Sequence, residues 1–370
     1  MIRVLNIISD ANFGGAGRVL LNYLSYADRS RFETMVALPR GSVLKEHLLK
    51  YDAQIFEVDG IADRSFAWGD IAKLEKLIRE VKPDIVHTHG ALSGRIAAKK
   101  AGCRIVYTRH SAFPVPAKLK YPPGRWVNKL VNEFLSDKII AVSPAAEQKL
   151  TDAGISKRRI TTMMNGIVPV PRTTPAEQAR MREACGVQEG EFVLGILARI
   201  EEYKGHLDIL DAVAILRKQG RNVRLLIAGS GGFENAVREH CHKLGLDDCV
   251  SFLGFVSDVG GLLSIMDLQL NASFGTETSC LSVLEGMSMG LPAVVSDYGG
   301  NPWLIDDGED GLLFPTRSAQ GMSECIARLM DEPPTLARMQ KRAVEIFNQR
   351  FTGEIFARNV EAVYDAAMKV

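Results

Sequence analysis

No two of the six cysteines form a C-x-x-C pair; Cys103, Cys185, Cys241, Cys249, Cys280 and Cys325 are scattered along the chain. That spacing excludes a disulfide framework and implies reduced thiols in a cytosolic protein. His240-Cys241-His242 with Cys249 could suggest a metal site, but adjacent helical residues diverge by about 100°, so the side chains do not converge on an ion. No apolar run reaches the roughly 18 residues that a membrane span needs. The N-terminus enters a strand directly, unlike a signal peptide. Neither sign of charge dominates, since the 370 residues sum to a net charge of +1. No internal repeat or low-complexity tract is present. What remains is ordinary for a globular protein, with 46% hydrophobic and 24% charged residues, and the length predicts about two domains.

The hydrophobic pattern alternates. Arg3–Ser9 is a short apolar run rich in β-branched residues and predicts a buried parallel strand. A turn over Asp10–Gly17 contains Gly14-Gly15-Ala16-Gly17, and a helix is expected from Arg18 to Ala27. Strands follow at Thr34–Leu38, Gln54–Val58, Ile85–Thr88, Arg104–Thr108, Lys138–Val142 and Ile160–Met163, with helices at Val43–Tyr51, Ile71–Val81 and Ser93–Ala101. Asn165–Pro175 collects proline and turn residues and reads as a linker. A second series has strands at Phe192–Ile196, Val223–Ala228, Val250–Leu253, Leu268–Asn271, Ala293–Ser296 and Leu312–Phe314. Its helices are His206–Gln219, Glu234–Leu244, Ser279–Met289 and Ala319–Met330, before two closing helices at Leu336–Phe347 and Glu354–Met368. Strands alternating with helices imply two Rossmann-like, doubly wound α/β domains whose ligand edges face a cleft. The expected boundaries are 1–168, 169–350 and a final helix, 351–370, that crosses back to the first domain.

Thr276–Gly290 is the stretch with the densest chemistry. Glu277 and Glu285 stand eight residues apart, on either side of a helix start that Thr278 or Ser279 is expected to cap. A helix N-terminus attracts anions, through free N–H groups and the positive dipole end. One carboxylate therefore sits beside the anion, and the other lies farther along the same ligand. Arg199 and Lys204 follow the first strand of the second domain and suit a diphosphate. Gly229, Gly231 and Gly254 follow other strands and allow backbone near a ligand, with Phe255 beside them. In the first domain Gly15 and Ala16 could cradle an anion, and His87, His89 and His110 lie at or just past strand ends. From Ile85 to Asn132 there is no Asp or Glu, while nine Lys and Arg are interleaved with Tyr107, Phe113, Tyr121 and Trp126. Such a segment fits an anionic membrane surface or a lipid-phosphate acceptor. Nucleic acid is disfavoured because no recognition motif accompanies the charge.

In their order, these pieces resemble the family 4 glycosyltransferases, retaining enzymes of the GT-B fold. The resemblance spans nearly the whole chain. It is carried by Gly14-Gly15, His110, Ala141-Val142-Ser143, Asn165-Gly166-Ile167, Arg199 with Lys204-Gly205, Ala228-Gly229-Ser230-Gly231 and Gly254-Phe255. The E-x7-E pair of Glu277 and Glu285, then Pro292–Val295 and Gly299-Gly300, complete it. It implies that Glu277 holds donor-sugar hydroxyls and Glu285 the nucleotide ribose. Arg199 and Lys204 would neutralise the departing diphosphate, and the N–H groups of Leu281 and Ser282 would bind phosphate. His110 would contact the transferring sugar, and Gly14–Gly17 would lie between donor phosphates and acceptor. The donor implied is a UDP-sugar, and the acceptor a lipid-linked or cell-envelope glycan. No cofactor or metal is expected; the D-x-D pair that carries metal in the other main transferase fold is missing. Three positions after Gly300, where the family commonly has an acid, this chain has Trp303. A sugar-nucleotide 2-epimerase of the same fold is the alternative, opposed by the E-x7-E pair. A nicotinamide dehydrogenase is opposed by the incomplete G-x-G-x-x-G and by Leu38-Pro39 where a ribose-binding acid would stand. A sugar-binding protein without turnover is a fourth reading.

Overall fold

The computed structural model describes residues 1–12, 14–62 and 65–370; Phe13, within the turn expected over Asp10–Gly17, lies outside them. Two compact units form, Met1–Val168 with Thr352–Val370, and Pro169–Phe351. The first unit carries β1 (Ile2–Ile8), β2 (Phe32–Pro39), β3 (Gln54–Val58), β4 (Ile85–His89), β5 (Arg104–Arg109), β6 (Lys138–Ala141) and β7 (Ile160–Thr162). The second carries β8 (Phe192–Leu197), β9 (Val223–Ala228), β10 (Val250–Gly254), β11 (Leu268–Asn271), β12 (Ala293–Ser296) and β13 (Gly311–Phe314).

Each unit has one parallel sheet, ordered β3-β2-β1-β4-β5-β6-β7 in the first and β10-β9-β8-β11-β12-β13 in the second. The central strands are buried on both sides because helices cover both faces; every residue of β4 and β9 is buried, His87, His89 and Arg224 among them. Strand order reverses between β1 and β4, and again between β8 and β11. The loops leaving those strands diverge there, and the gap between them is where an open α/β sheet binds its ligand. Three groups of candidate residues follow such strands: the Gly14–Gly17 stretch after β1, the 198–205 loop after β8 and the 272–280 loop after β11.

Several local expectations change. The glycine-rich stretch is less a turn than the start of a helix: Gly14 is the extended N-cap of Gly15–Leu24, so Gly15 and Ala16 hold the first two helical positions. Neither Thr278 nor Ser279 is the N-cap residue that was expected. The helix begins two residues later, at Leu281–Met289, behind Cys280, which supplies no side-chain cap. Pro175 ends the expected linker but opens a helix, Pro175–Ala184, with a capping box between Thr174 and Glu177; proline at the first helical position lacks only an N–H that would be orphaned anyway. Gly124–Phe134 and Pro144–Asp152 are further helices that the alternation did not show. The closing helix, Gly353–Met368, packs on the first unit, with Tyr364 fully buried against Tyr23 and Phe32. No helix among the described residues is long and apolar enough to cross a membrane.

Candidate functional site

In the second unit the expected residues gather at the reversal between β8 and β11. Lys204 Nζ donates to Glu277 Oε2 at 2.8 Å, with the carboxylate only 6% exposed. The same oxygen accepts from Ser273 Oγ at 2.9 Å and Asn271 Nδ2 at 3.2 Å. Burial by itself would raise the Glu277 carboxyl and lower the Lys204 ammonium. Their mutual attraction overrides it, so that Glu277 stays below its ordinary value and Lys204 above. Glu277 is thus a fixed, charged acceptor. Behind it runs a second set of buried polar groups. Asn301 Nδ2 donates to Ser296 Oγ at 3.2 Å, and Ser296 Oγ donates to the Ser273 carbonyl at 2.7 Å.

Backbone geometry holds the carboxylate loop in place. Gly300 N donates to the Glu277 carbonyl at 3.1 Å. A Cβ on Gly300 would stand 1.4 Å from the Thr278 carbonyl oxygen, and one on Gly299, at φ +63°, 2.5 Å from that of Glu277. Only glycine permits this approach. Trp303, at the position where an acid was expected, leaves its side chain half-exposed, and its carbonyl accepts from Arg350 at 2.7 Å.

Arg199 is exposed and donates to Tyr203 Oη at 3.0 Å, in the same loop as Lys204. Leu281 and Ser282 occupy the first turn of the uncapped helix, and Glu285 lies one turn farther along, half-exposed. Gly229 N donates to the Gly254 carbonyl at 2.7 Å, tying the tips of β9 and β10. Side chains on Gly229 and Gly231 would strike the Ala198 and Ile200 carbonyls, at 1.9 and 2.2 Å. These glycines therefore serve first to let two loops touch. Phe255 next to them is 76% exposed.

The first unit holds a different cluster. His87 and His89, on β4, are buried, and His110 follows β5 half-exposed. His87 hydrogen-bonds Tyr364 Oη at 2.8 Å and Thr108 Oγ1 at 2.7 Å. His89 Nε2 donates to Asn6 Oδ1 at 3.2 Å as the amide is placed. His89 Nδ1 is then the acceptor for His110 Nε2–H at 2.9 Å, and the two rings stack. Burial pushes His87 down to about 3, His110 down to about 4, and His89 well below the usual histidine range. All three are neutral at pH 7.

Sequence reasoning singled out Glu277, Lys204, Arg199, Glu285 and His110, and missed the residues that hold them. Asn271 had a signal: it is the polar last residue of a strand at the ligand edge of the sheet. Ser273 and Asn301 had none. His206 was also missed. It opens the helix after Gly205, is 1% exposed, and its ring nitrogens find no partner among the described residues. Burial and then the charge of Lys204 push it down to about 4.

Comparison with known proteins decides the family. The Glycosyltransferase Family 4 profile matches residues 13–169, and the Glycosyl transferases group 1 profile residues 177–346. EpsD of Bacillus subtilis (strain 168), a provisionally assigned glycosyltransferase, is 30% identical over 281 residues, 70% of this chain and 71% of its own length. The chain belongs to glycosyltransferase family 4. The alpha-monoglucosyldiacylglycerol synthase of Acholeplasma laidlawii is 25% identical over 316 residues, 80% of this chain and 78% of that protein. Among solved structures, Anabaena Alr3699/HepE in complex with UDP and glucose superposes with a TM-score of 0.85 at 21% identity, over 99% of this chain and all of that one. At that identity the likeness speaks for the GT-B fold alone. Family 4 membership and the fold together make the chain a glycosyltransferase.

Proposed function

We propose that this glycosyltransferase moves a sugar, with retention of its anomeric configuration, from a UDP-sugar to a glycan or lipid-linked acceptor of the cell envelope. The observation that carries the reading is the buried Lys204–Glu277 pair beside an uncapped helix start, at the ligand edge of the second sheet. Glu277, held ionised by three donors, accepts from donor-sugar hydroxyls. Glu285, a turn inside the helix, binds the ribose. Gly229, Gly231, Gly254 and Phe255 border the nucleotide; in the first unit, Gly15 and Ala16 offer the N–H groups of a helix start to an anion.

Transfer breaks the bond between the sugar's anomeric carbon and the diphosphate oxygen. The diphosphate gains charge as it leaves. Arg199, Lys204 and the N–H groups of Leu281 and Ser282 stabilise that charge, by several kcal/mol for each well-placed donor as an order of magnitude. The acceptor hydroxyl forms the new bond on the same face and passes its proton to the leaving phosphate. Neutral His110 contacts the sugar without adding a cation beside a centre that itself becomes positive. No metal takes part in this reading. The acid-free stretch from Ile85 to Asn132 supports a peripheral contact with an anionic membrane.

A ligand that favours the folded form raises its melting temperature, so one nucleotide sugar in a panel should shift the melt well above the rest. Product from that donor and a matched acceptor should show by NMR the donor's own anomeric configuration, unchanged in EDTA. The reading falls if no nucleotide sugar shifts the melt. It also falls if UDP-GlcNAc without acceptor becomes UDP-ManNAc, the epimerase outcome.

A further inference from the structure

The acid-free segment does not form one surface. It runs through β4 and β5, and its cations are spent in different ways. Arg95 is buried, donating to Asn132 Oδ1 at 2.8 Å with its guanidinium over the Tyr107 ring. Lys100 pairs with Glu75, and Arg109 donates to the Ser111 carbonyl. The unusual feature lies at the end of the segment and just beyond it, in the helix Gly124–Phe134.

This helix is amphipathic in the reverse of the usual sense. Trp126, Val127, Leu130, Val131 and Phe134 recur at helical spacing and make one stripe. All five are exposed, at 62, 57, 67, 41 and 63%. None of the helix's residues is buried. The polar residues of the other side are the ones that hold the helix on its unit. Asn128 Nδ2 donates to the Ala153 carbonyl at 2.8 Å, Asn132 accepts from Arg95, and Glu133 accepts from Ser156 N at 3.1 Å. A globular protein normally turns such a stripe inward; a large apolar patch left in water marks a surface with a partner.

Charge decides which partner. Glu133 is the helix's only acid, and its carboxylate is taken up by Ser156. Near the stripe in the chain stand Lys118, Lys120 and Lys129, with Lys99 Nζ 4.4 Å from the Phe134 ring centre, whereas Arg125 turns to the helix's polar side and donates to the Thr151 carbonyl at 3.4 Å. Tyr121, just before the helix, is 69% exposed. An apolar stripe with tryptophan, flanked by long cationic side chains, suits a helix lying in the plane of a bilayer. The stripe enters the acyl boundary, the aromatic residues sit at headgroup depth, and the lysine and arginine heads reach phosphates. A second copy of this chain would bring the same cations against themselves.

We propose that Trp126, Val127, Leu130, Val131 and Phe134 insert into an anionic membrane surface, with Lys118, Lys120 and Lys129 on the lipid phosphates. This narrows the membrane contact of the reading above to one helix face. Its test needs neither donor nor acceptor, so the two can fail separately. Full-length protein is floated with vesicles of phosphatidylcholine alone and of phosphatidylcholine enriched in phosphatidylglycerol. Wild type should float with the anionic vesicles and lose binding as salt rises. Leu130→Glu should reduce partitioning about tenfold or more, since it removes apolar area and adds a negative charge. Because Leu130 touches no core, its thermal melt should match wild type; Phe134→Ser, milder and uncharged, provides a second variant should it not. With Trp68 and Trp303 changed to Phe, Trp126 emission should shift to the blue on anionic vesicles. Absence of vesicle binding, or equal binding by both variants, overturns the proposal. So does a wild-type dimer in solution that Leu130→Glu splits, which would make the stripe a contact between copies.

Discussion

Two buried polar clusters, one per unit, meet the cost of burial in opposite ways. Around Glu277 the charges are kept and paired: Lys204 stands at 2.8 Å and two neutral donors share the same oxygen. Around His87 and His89 the charge is refused: His87 hydrogen-bonds Thr108 and Tyr364, and His89 bonds Asn6 and His110. Taking an ion out of water costs several kcal/mol, which a close partner can offset and which a titratable group can instead avoid by staying neutral. The difference matches the chemistry proposed: a departing diphosphate needs fixed charges, while a sugar beside a developing cation needs none. The sheet geometry beneath the two clusters is the same.

Acid should separate the clusters most strongly. The histidines are lowered in the folded protein, so only the unfolded chain binds their protons between its ordinary value near 6.5 and the folded values. Their contribution is therefore complete above about pH 6.5 and is lost as pH falls toward about 4, at up to about 1.4 kcal/mol per pH unit for each buried ring. Half-exposed His110 should contribute less. The Glu277 carboxylate, also lowered, keeps its contribution down to the ordinary carboxyl range and loses it only below. Hydrogen exchange followed from pH 7 to 4 should show the first unit, with three lowered histidines, losing protection before the second, which has His206 alone. Simultaneous loss in both units would break the comparison.

Next in size is removal of one charge. Glu277→Ala leaves Lys204 partly buried without its partner, and the expected cost is about 3–5 kcal/mol by chemical denaturation, with transfer activity lost. Glu277→Leu combined with Lys204→Met should regain much of that stability and none of the activity. If the single variant is as stable as wild type, the pair is not held as described. Smallest is Tyr364→Phe, which leaves a His87 ring nitrogen without its partner and should cost about 1–2 kcal/mol. Unfolding transitions with and without this change would show whether the closing helix stabilises the first unit.

Much of the fold was legible. The parallel strands read as apolar runs because both faces are covered, and all thirteen strands overlap their expected ranges with shifts of at most two residues at either end. The helix Gly124–Phe134 was hidden because none of its residues is buried, so the alternation of buried strand and helix gave it no place. Glu277 and Lys204 stood out as charged residues at strand ends. Ser273, Asn301 and His206 did not, because an ordinary polar residue becomes a support only through what folds against it. The glycines at 229 and 231 were visible, but their closest neighbours were not.

The linear order of residues was enough to set strand against helix, to mark two sheets, and to place the charged groups on loops leaving β8 and β11. Periodicity and turn chemistry are local, and each is written within a dozen residues. What tertiary structure alone decided is the state of those groups. A carboxylate and an ammonium 73 positions apart become one pair, and three histidines are stripped of charge by walls contributed from β1, β5 and the last helix. Burial and partner distance set those states, and both come from segments far apart in the chain.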